Sequence, residues 1–451
     1  MIDVITIETP ELGDRSYVAT DGTVAVVVDP QRDIDRITAL ASKLGARITH
    51  VLETHIHNDY VSGGLQLARE CGATYVLSGA EPVSFTGERL PVSDGDQVKT
   101  GQLIVTALSS PGHTPHHMSY LLADASTGEV VTVFTGGCLL FGSAGRTDLM
   151  GDGHTQALSR AQWRSLHRLS VLDDEVAVHP THGFGSFCAS ACEPALVSTI
   201  GRERSVNPGL LLDEETFIRT SIASFPEYPS YFSHMADLNL RGPAPIDLSC
   251  PSETDAPDLA GRVAEGEWVV DLRDRTCFAA GHLAGTVNVE AGNSFAVYLG
   301  WTLPWGTPIT LVGDRPEQVA AAQRALARIG VDRPHVHVCH GLESLAESEA
   351  LRSYPVSTFA ELTEIWGADG GCFVIDVRSL DEWRSGHMPG ALHIPFHELP
   401  ARMEEVPTDR HVWVYCAGGF RASIAASILD AAGRSVTLVN DRWSNAGLFV
   451  A

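Results

Sequence analysis

Thr54-His55-Ile56-His57-Asn58-Asp59 follows, one residue on, the largely apolar run Ile48 to Leu52. The run reads as a buried strand, and a strand end turning into a loop aims alternate side chains at one point. Two imidazoles and a carboxylate at H-x-H-x-D spacing are poor packing residues but good ligands for a transition metal. Two further histidines fit the same picture: His113 in Ser110-Pro111-Gly112-His113-Thr114, and His182 in His179-Pro180-Thr181-His182-Gly183. The competing reading is a set of polar loop histidines without a metal. It suits one histidine better than four, two of them within one tight motif. The metal candidates are therefore His55, His57, Asp59, His113 and His182.

Further stretches extend the pattern: Asp59-Tyr60, Pro111-Gly112-His113-Thr114-Pro115, Phe134-Thr135-Gly136-Gly137, Gly145-Arg146-Thr147-Asp148, His182-Gly183 and Asn207-Pro208. On these residues, positions 1 to about 240 resemble the metallo-β-lactamase superfamily, and more narrowly its persulfide dioxygenase branch. The resemblance implies an αβ/βα sandwich with one ferrous iron at an edge of the two sheets. It also implies that His55 and His113 are iron ligands.

The sequence departs from that family at two places. Where the family pattern reads H-x-H-x-D-H, this chain has Tyr60 in the last position. That histidine serves the second metal of two-metal relatives, so a one-metal site tolerates its loss. Where the family has T-G-D, with the aspartate an iron ligand, this chain has Thr135-Gly136-Gly137. Ferrous sites of this type use two histidines and one carboxylate, and Gly137 offers no side chain. Three substitutes present themselves: His57 or Asp59 swinging in, Asp148 reaching across, or Cys138 supplying a thiolate. The last is disfavoured because neighbouring strand residues face opposite ways. Without a substitute, the domain is a metal-poor scaffold.

The 451 residues exceed one core, and length suggests about three domains. A hydrophobic fraction of 44% suffices to build them. A window of about 18 uninterrupted apolar residues, needed to span a membrane, does not occur. The N-terminal alternation Met1-Ile2-Asp3-Val4-Ile5-Thr6-Ile7-Glu8 lacks the basic and apolar regions of a secretory signal. A net charge of −25 argues against nucleic acid or an anionic membrane as partner, while an acidic surface is compatible with a homodimer. Nine cysteines stand at 71, 138, 188, 192, 250, 277, 339, 372 and 416, with no secretory signal ahead of them. Their odd number and scattered spacing point to a reducing cytoplasm rather than a disulfide framework.

The C-terminal part contains an internal repeat. Val269-Val270-Asp271-Leu272-Arg273 matches Val374-Ile375-Asp376-Val377-Arg378, and ten residues after each aspartate comes Gly-His, at Gly281-His282 and Gly386-His387. An apolar strand follows in each copy, Pro308 to Val312 and His411 to Tyr415, then a helix ending at Gly330 or Gly433. Alternating strands and helices give a small α/β domain with a parallel sheet. The two units resemble rhodanese (thiosulfate sulfurtransferase) domains. The fold class expected overall is α/β: an αβ/βα metallo-β-lactamase sandwich over 1–245, then two small parallel-sheet rhodanese-like domains over 254–350 and 355–451. Proline- and acid-rich stretches at Arg241 to Asp247 and Pro251 to Pro257 read as linker. A second boundary falls near Leu351 to Val356, before a helix expected from Ser357 to Trp366.

The second copy carries Tyr415-Cys416-Ala417-Gly418-Gly419-Phe420-Arg421-Ala422. A cysteine at the C-terminal end of a central strand sits where ligands bind in open α/β sheets. The loop Ala417, Gly418, Gly419, Phe420 and Ala422 turns backbone N–H groups towards the sulfur. A helix N-terminus and Arg421 add positive charge, which favours a thiolate, a persulfide or the oxyanions of thiosulfate. Cys416 and Arg421 are the catalytic candidates. Asp376 and Arg378 read as a structural pair. In the first copy Gly313 falls opposite Cys416, and Gly313-Asp314-Arg315-Pro316-Glu317 brings acids and a proline into the cradle. That copy reads as catalytically silent.

Cys188, in Gly183-Phe184-Gly185-Ser186-Phe187-Cys188, occupies a loop that in fused dioxygenase–rhodanese proteins lies near the metal. It is either a reactive thiol there or an inert loop residue. Arg202 and Arg204 are substrate-carboxylate ligands or, more plainly, a salt-bridged surface turn.

Three functions follow as expectations. One is oxidation of a small-molecule persulfide to sulfite at Fe(II), followed by sulfur transfer among persulfide, thiosulfate and sulfite through Cys416. The second is sulfurtransferase activity alone. The third is a thioester hydrolase using zinc-bound hydroxide.

Overall fold

The computed structural model describes residues 2–85, 89–189, 194, 196–251, 253–339, 351–369 and 372–447. Cys192 lies outside them, as does 340–350. The chain divides into two compact units, Met1–Ile246 with Ala327–Gly330, and Asp247–Leu326 with Val331–Ala451.

The first unit is built on two six-stranded sheets. One runs in the order Asp3–Thr9, Asp14–Thr20, Val24–Val28, Arg47–Leu52, Thr74–Ser78, Arg89–Val92. The other runs Ser198–Thr199, Ala177–Pro180, Val130–Gly136, Met118–Asp124, Leu103–Ser109, Gln97–Thr100. Alternation along the strands explains the layering. Val26, Val28 and Leu52 join Leu103, Met118, Tyr120 and Phe134 in one core between the sheets. Ala25, Val27 and Val51 face the other way, against Ile37, Ala41 and Leu65 of the helices Asp35–Leu44 and Gly64–Cys71. Both faces of Val24–Val28 are buried, which is why Val24-Ala25-Val26-Val27-Val28 is an unbroken apolar run rather than an alternation. On the second sheet, Val133 and Val178 pack outward against Leu166 and Leu169 of Asp152–Leu169, with Phe217 and Ile218 of Glu214–Ser224. The result is the αβ/βα sandwich expected.

The second unit holds two sheets of matching order. Val287–Asn288, Trp268–Asp271, Ile309–Gly313 and His335–Val338 form one, all parallel. Leu392–His393, Phe373–Asp376, Val412–Tyr415, Val436–Val439 and Val356–Ser357 form the other, again parallel. The repeat therefore appears twice in space. In each copy a buried arginine grips the aspartate two residues before it: Arg273 Nε and Asp271 Oδ1 are 3.0 Å apart, as are Arg378 Nε and Asp376 Oδ1. A further guanidinium nitrogen reaches a loop carbonyl, Gly281 at 3.0 Å or Gly386 at 2.7 Å.

Several boundaries differ from expectation. Pro251 to Pro257 is not all linker, because a helix spans Ala256–Ala264 and Pro257 sits in its first turn, where a missing N–H costs nothing. Ser357 closes a short strand, Val356–Ser357, and the helix starts two residues later, at Phe359–Asp369. Among the described residues no helix is long and apolar enough to cross a membrane, and none of the eight cysteines described forms a disulfide.

Candidate functional site

Strand ends of both sheets supply the residues of the first unit's buried centre. His55, His57, His113 and His182 are each no more than 1% exposed, and Asp59 is 2% exposed. Their neighbours fix which nitrogen each ring presents. His55 Nδ1 lies 2.8 Å from Thr54 Oγ1, whose own proton goes to Asp29. That leaves His55 Nε2 without a proton, and it accepts from His182 Nε2 at 3.4 Å. His113 donates Nδ1–H to the Arg146 carbonyl at 2.7 Å, and its Nε2 is buried without a partner. His182 Nδ1 is 2.9 Å from Asp14 and 3.3 Å from Asp59. A carboxylate behind an imidazole fixes its tautomer and raises its basicity, the usual support of a metal-binding histidine.

Burial works against the charged form of His182, but Asp59 and Asp14 more than offset it and lift the group to about 9. Burial and the Asp59 charge push Asp14 up to about 8, whereas the His182 charge overcomes burial and holds Asp59 below the carboxylate range. His55 and His113 are pushed well down, by burial first and by the surrounding histidines second. Both therefore present neutral lone pairs.

His57 is tied through one nitrogen only, and its Nδ1 is buried without a partner. Its Nε2 is 2.9 Å from the Tyr60 hydroxyl, 3.2 Å from Glu53 and 3.4 Å from Asp29, and the Tyr60 ring stacks on it at 4.2 Å. Tyr60 thus fills the space of the absent second-metal histidine and anchors its neighbour. Despite burial, Asp29 and Glu53 raise His57 to about 10.

Of the expected substitutes for the missing carboxylate, Cys138 and Asp148 do not reach the centre, whereas His57 and Asp59 border it beside His182. Cys138 turns to the outer face of its sheet and packs with Val133, Leu139 and Phe141. Asp148 accepts two 2.7 Å hydrogen bonds from Arg146. Asp59 is engaged with His182. Among the described residues, the groups whose ligand atoms lie within 4.8 Å of one another are His55/His57/His182, His113/His182/Cys188, Asp14/Asp59/His182 and Asp29/Glu53/His57. None joins two histidines to a carboxylate. The residues fit a metal ion, but not the two-histidine, one-carboxylate arrangement of a mononuclear ferrous site.

Sequence reasoning missed Asp14, Asp29 and His117. His117 Nε2 accepts the Gly137 N–H at 3.0 Å. Only the second histidine in Pro115-His116-His117 hinted at it. Cys188 is fully buried, and burial followed by Asp59 and Asp14 pushes its thiol well up. Arg204 pairs with Asp174 at 2.6 Å, as a salt-bridged surface turn would.

In the second unit, Cys416 follows the central strand Val412–Tyr415 and is 2% exposed. Ala417, Gly418 and Gly419 lead into the helix Phe420–Ala431, in which Ala422 is buried. The Gly419 N–H points at Cys416 Sγ from 3.1 Å. Gly419 has φ +91°, and a Cβ there would lie 2.1 Å from Asn440 Oδ1, so no other residue fits. Arg421 is not a free charge, since its two terminal nitrogens donate to Glu382 at 2.5 and 2.7 Å. The first copy supplies an aromatic wall: Tyr298 meets Phe420 at 5.4 Å and Phe396 at 5.1 Å, and Trp301 stacks on His397 at 4.7 Å.

At the matching place in the first copy, the Gln318 amide closes the loop. It accepts from Asp314 N–H and donates to the Leu272 carbonyl, both at 2.9 Å. A Cβ on Gly313 would be 2.8 Å from Val319 and 2.9 Å from Gln318. That loop holds its own glutamine where the second copy has a thiol.

Facing sheets with histidines gathered at their strand ends, ahead of a parallel sheet that presents a cysteine to a helix N-terminus, define a metallo-β-lactamase-fold protein with a C-terminal rhodanese-like domain. Family models match accordingly, the metallo-beta-lactamase superfamily over 11–182 and the rhodanese-like domain over 358–445. The human mitochondrial persulfide dioxygenase ETHE1 is 30% identical over 244 residues, 53% of this chain and 80% of that protein. A hydroxyacylglutathione hydrolase of Rhizobium johnstonii is 28% identical over 184 residues, 41% of this chain and 66% of that one. A metallo-beta-lactamase structure from Staphylococcus aureus subsp. aureus COL superposes with a TM-score of 0.67 at 26% identity, covering 75% of this chain and 99% of the other. The chain belongs to the persulfide dioxygenase family of the metallo-β-lactamase superfamily.

Proposed function

We propose that this chain is an enzyme of sulfur metabolism that carries sulfane sulfur on Cys416. The observation that carries the reading is the Gly419 N–H aimed at Cys416 Sγ from 3.1 Å, at the mouth of the helix Phe420–Ala431. A negative sulfur is stabilised there by the N–H group and by the helix dipole. The Cys416 thiolate attacks the outer sulfur of thiosulfate, the S–S bond breaks, and sulfite leaves with the bonding pair. The Cys416 persulfide then gives its terminal sulfur to an acceptor thiolate, and the Cys416 thiolate returns. Arg421, steadied by Glu382, faces the oxyanion of donor or product.

The test is intact-mass measurement after thiosulfate. Wild-type protein gains one sulfur atom and loses it to added thiol. Cys416→Ser gains none and turns over no thiosulfate. Transfer that survives Cys416→Ser overturns the reading.

A second reading, persulfide oxidation to sulfite in the first unit, is favoured by the 30% identity to a persulfide dioxygenase across 80% of that protein's length. Oxygen uptake on glutathione persulfide by ferrous-loaded Cys416→Ser protein, abolished by His113→Ala, would establish it. Absence of uptake would leave the transferase alone.

A further inference from the structure

We propose that the first unit holds a thiolate-completed metal centre, in which His113, His182 and Cys188 bind a thiophilic divalent cation such as zinc. Gly137 is the residue that makes room for it.

Three observations carry this. First, the ligand atoms of His113, His182 and Cys188 lie within 4.8 Å of one another, and all three residues are fully buried. Around tetrahedral zinc a nitrogen and a sulfur stand about 3.5 Å apart, from Zn–N and Zn–S bonds of roughly 2.0 and 2.3 Å. Small side-chain rotations therefore close the site. Second, His113 Nε2 is a buried acceptor without a partner, which is costly unless something binds it. Third, a Cβ on Gly137 would be 2.2 Å from His113 Cδ2 and 2.8 Å from its Nε2. The ring occupies the space of the side chain that the family's aspartate would have, and in that place it approaches Cys188 and His182.

The backbone is arranged for the same three residues. Arg146 accepts from His113 Nδ1–H through its carbonyl at 2.7 Å and donates its N–H to the Cys188 carbonyl at 2.9 Å. One peptide segment therefore places two of the three ligands. Gln162 accepts the His113 backbone N–H at 2.7 Å and donates to the Gly137 and Cys138 carbonyls at 3.3 and 2.6 Å, tying the His113 main chain to the Gly137 turn. His55 Nε2, 3.4 Å from His182 Nε2, stands beside the set. A donor set of imidazoles and one thiolate selects zinc over ferrous iron, for which a carboxylate is the customary third ligand. Binding expels two protons to solvent, the Cys188 thiol proton and the Nε2 proton of the His182 imidazolium, and no redox change is involved.

The test uses full-length Cys416→Ser protein, stripped with chelator and loaded anaerobically with one equivalent of zinc. The zinc X-ray absorption spectrum is expected to contain one sulfur at about 2.3 Å. Replacing Cys188 with serine, or with alanine where serine does not fold, is expected to remove that sulfur and weaken zinc binding at least about tenfold. Cys138→Ser is expected to keep it. A first shell of nitrogen and oxygen only, or a sulfur that persists without Cys188, overturns the proposal. None of these readouts depends on sulfur transfer at Cys416.

Discussion

The ring of His113 stands where a side chain on residue 137 would stand, with Cδ2 2.2 Å from the position of a Gly137 Cβ. Restoring the family's aspartate therefore does not restore the family's site. Gly137→Asp is expected to force His113 aside and to cost about 1–3 kcal/mol of stability by overpacking. Urea unfolding of the metal-free protein measures this. A variant as stable as wild type would show that the ring has somewhere else to go.

Asp376 is fully buried beneath Arg378, whose guanidinium also lies 4.0 Å over the Trp443 ring. Asp376→Ala leaves that cation buried and unpaired, a loss of roughly 3–5 kcal/mol. The equivalent change Asp271→Ala in the first copy is expected to cost a similar amount, because the geometry is the same. Denaturant midpoints of both variants test the equivalence.

Arg421 is expected to matter to turnover through its hydrogen bonds as well as its charge. Arg421→Lys keeps the charge but loses the forked geometry towards Glu382. The loss of a charge-assisted hydrogen bond is about 1.5–3 kcal/mol, roughly ten- to hundredfold in kcat/KM for thiosulfate. A lysine variant with wild-type kinetics would reduce the role of Arg421 to charge alone.

The Glu382–Arg421 pair also sets a pH dependence. Burial would raise Glu382, but the hydrogen bonds and charge of Arg421 hold it down to about 2, from 4.5. A carboxylate depressed in the folded state contributes stability that is present above the unfolded value and lost as pH falls through the folded one. Wild type should therefore be more stable than Glu382→Gln above pH 4.5. The advantage should shrink as the pH drops from there towards 2. Unfolding midpoints of the two proteins, compared across that window, check the sign.

Much of this architecture is legible in the chain because its signals are local. His55-x-His57-x-Asp59 at a strand end and the Cys416 loop each declare themselves within eight residues, and the repeat betrays two sheets of one order. The partners that tune them are not local. Asp14 supports His182 from 168 residues away, and Glu382 meets Arg421 from 39. No spacing rule connects such pairs, since only the folded sheets bring them together. The choice between thiols was half legible: strand parity argues against Cys138, but nothing in the sequence turns the Cys188 loop inward. That depends on Arg146, whose guanidinium is buried between Phe187 and Pro226 carbonyls at 3.0 and 2.9 Å.

The helix that begins beside Cys416 is held along its length by the copy that has no cysteine. Asp430 meets His282 at 3.1 Å, and Ser427 accepts the Asn288 N–H at 2.9 Å. That copy is therefore part of the mount of the reactive loop's helix. Trimming the protein to the last hundred residues would yield the reactive loop without its footing. The smallest piece worth engineering as a sulfur carrier is the pair.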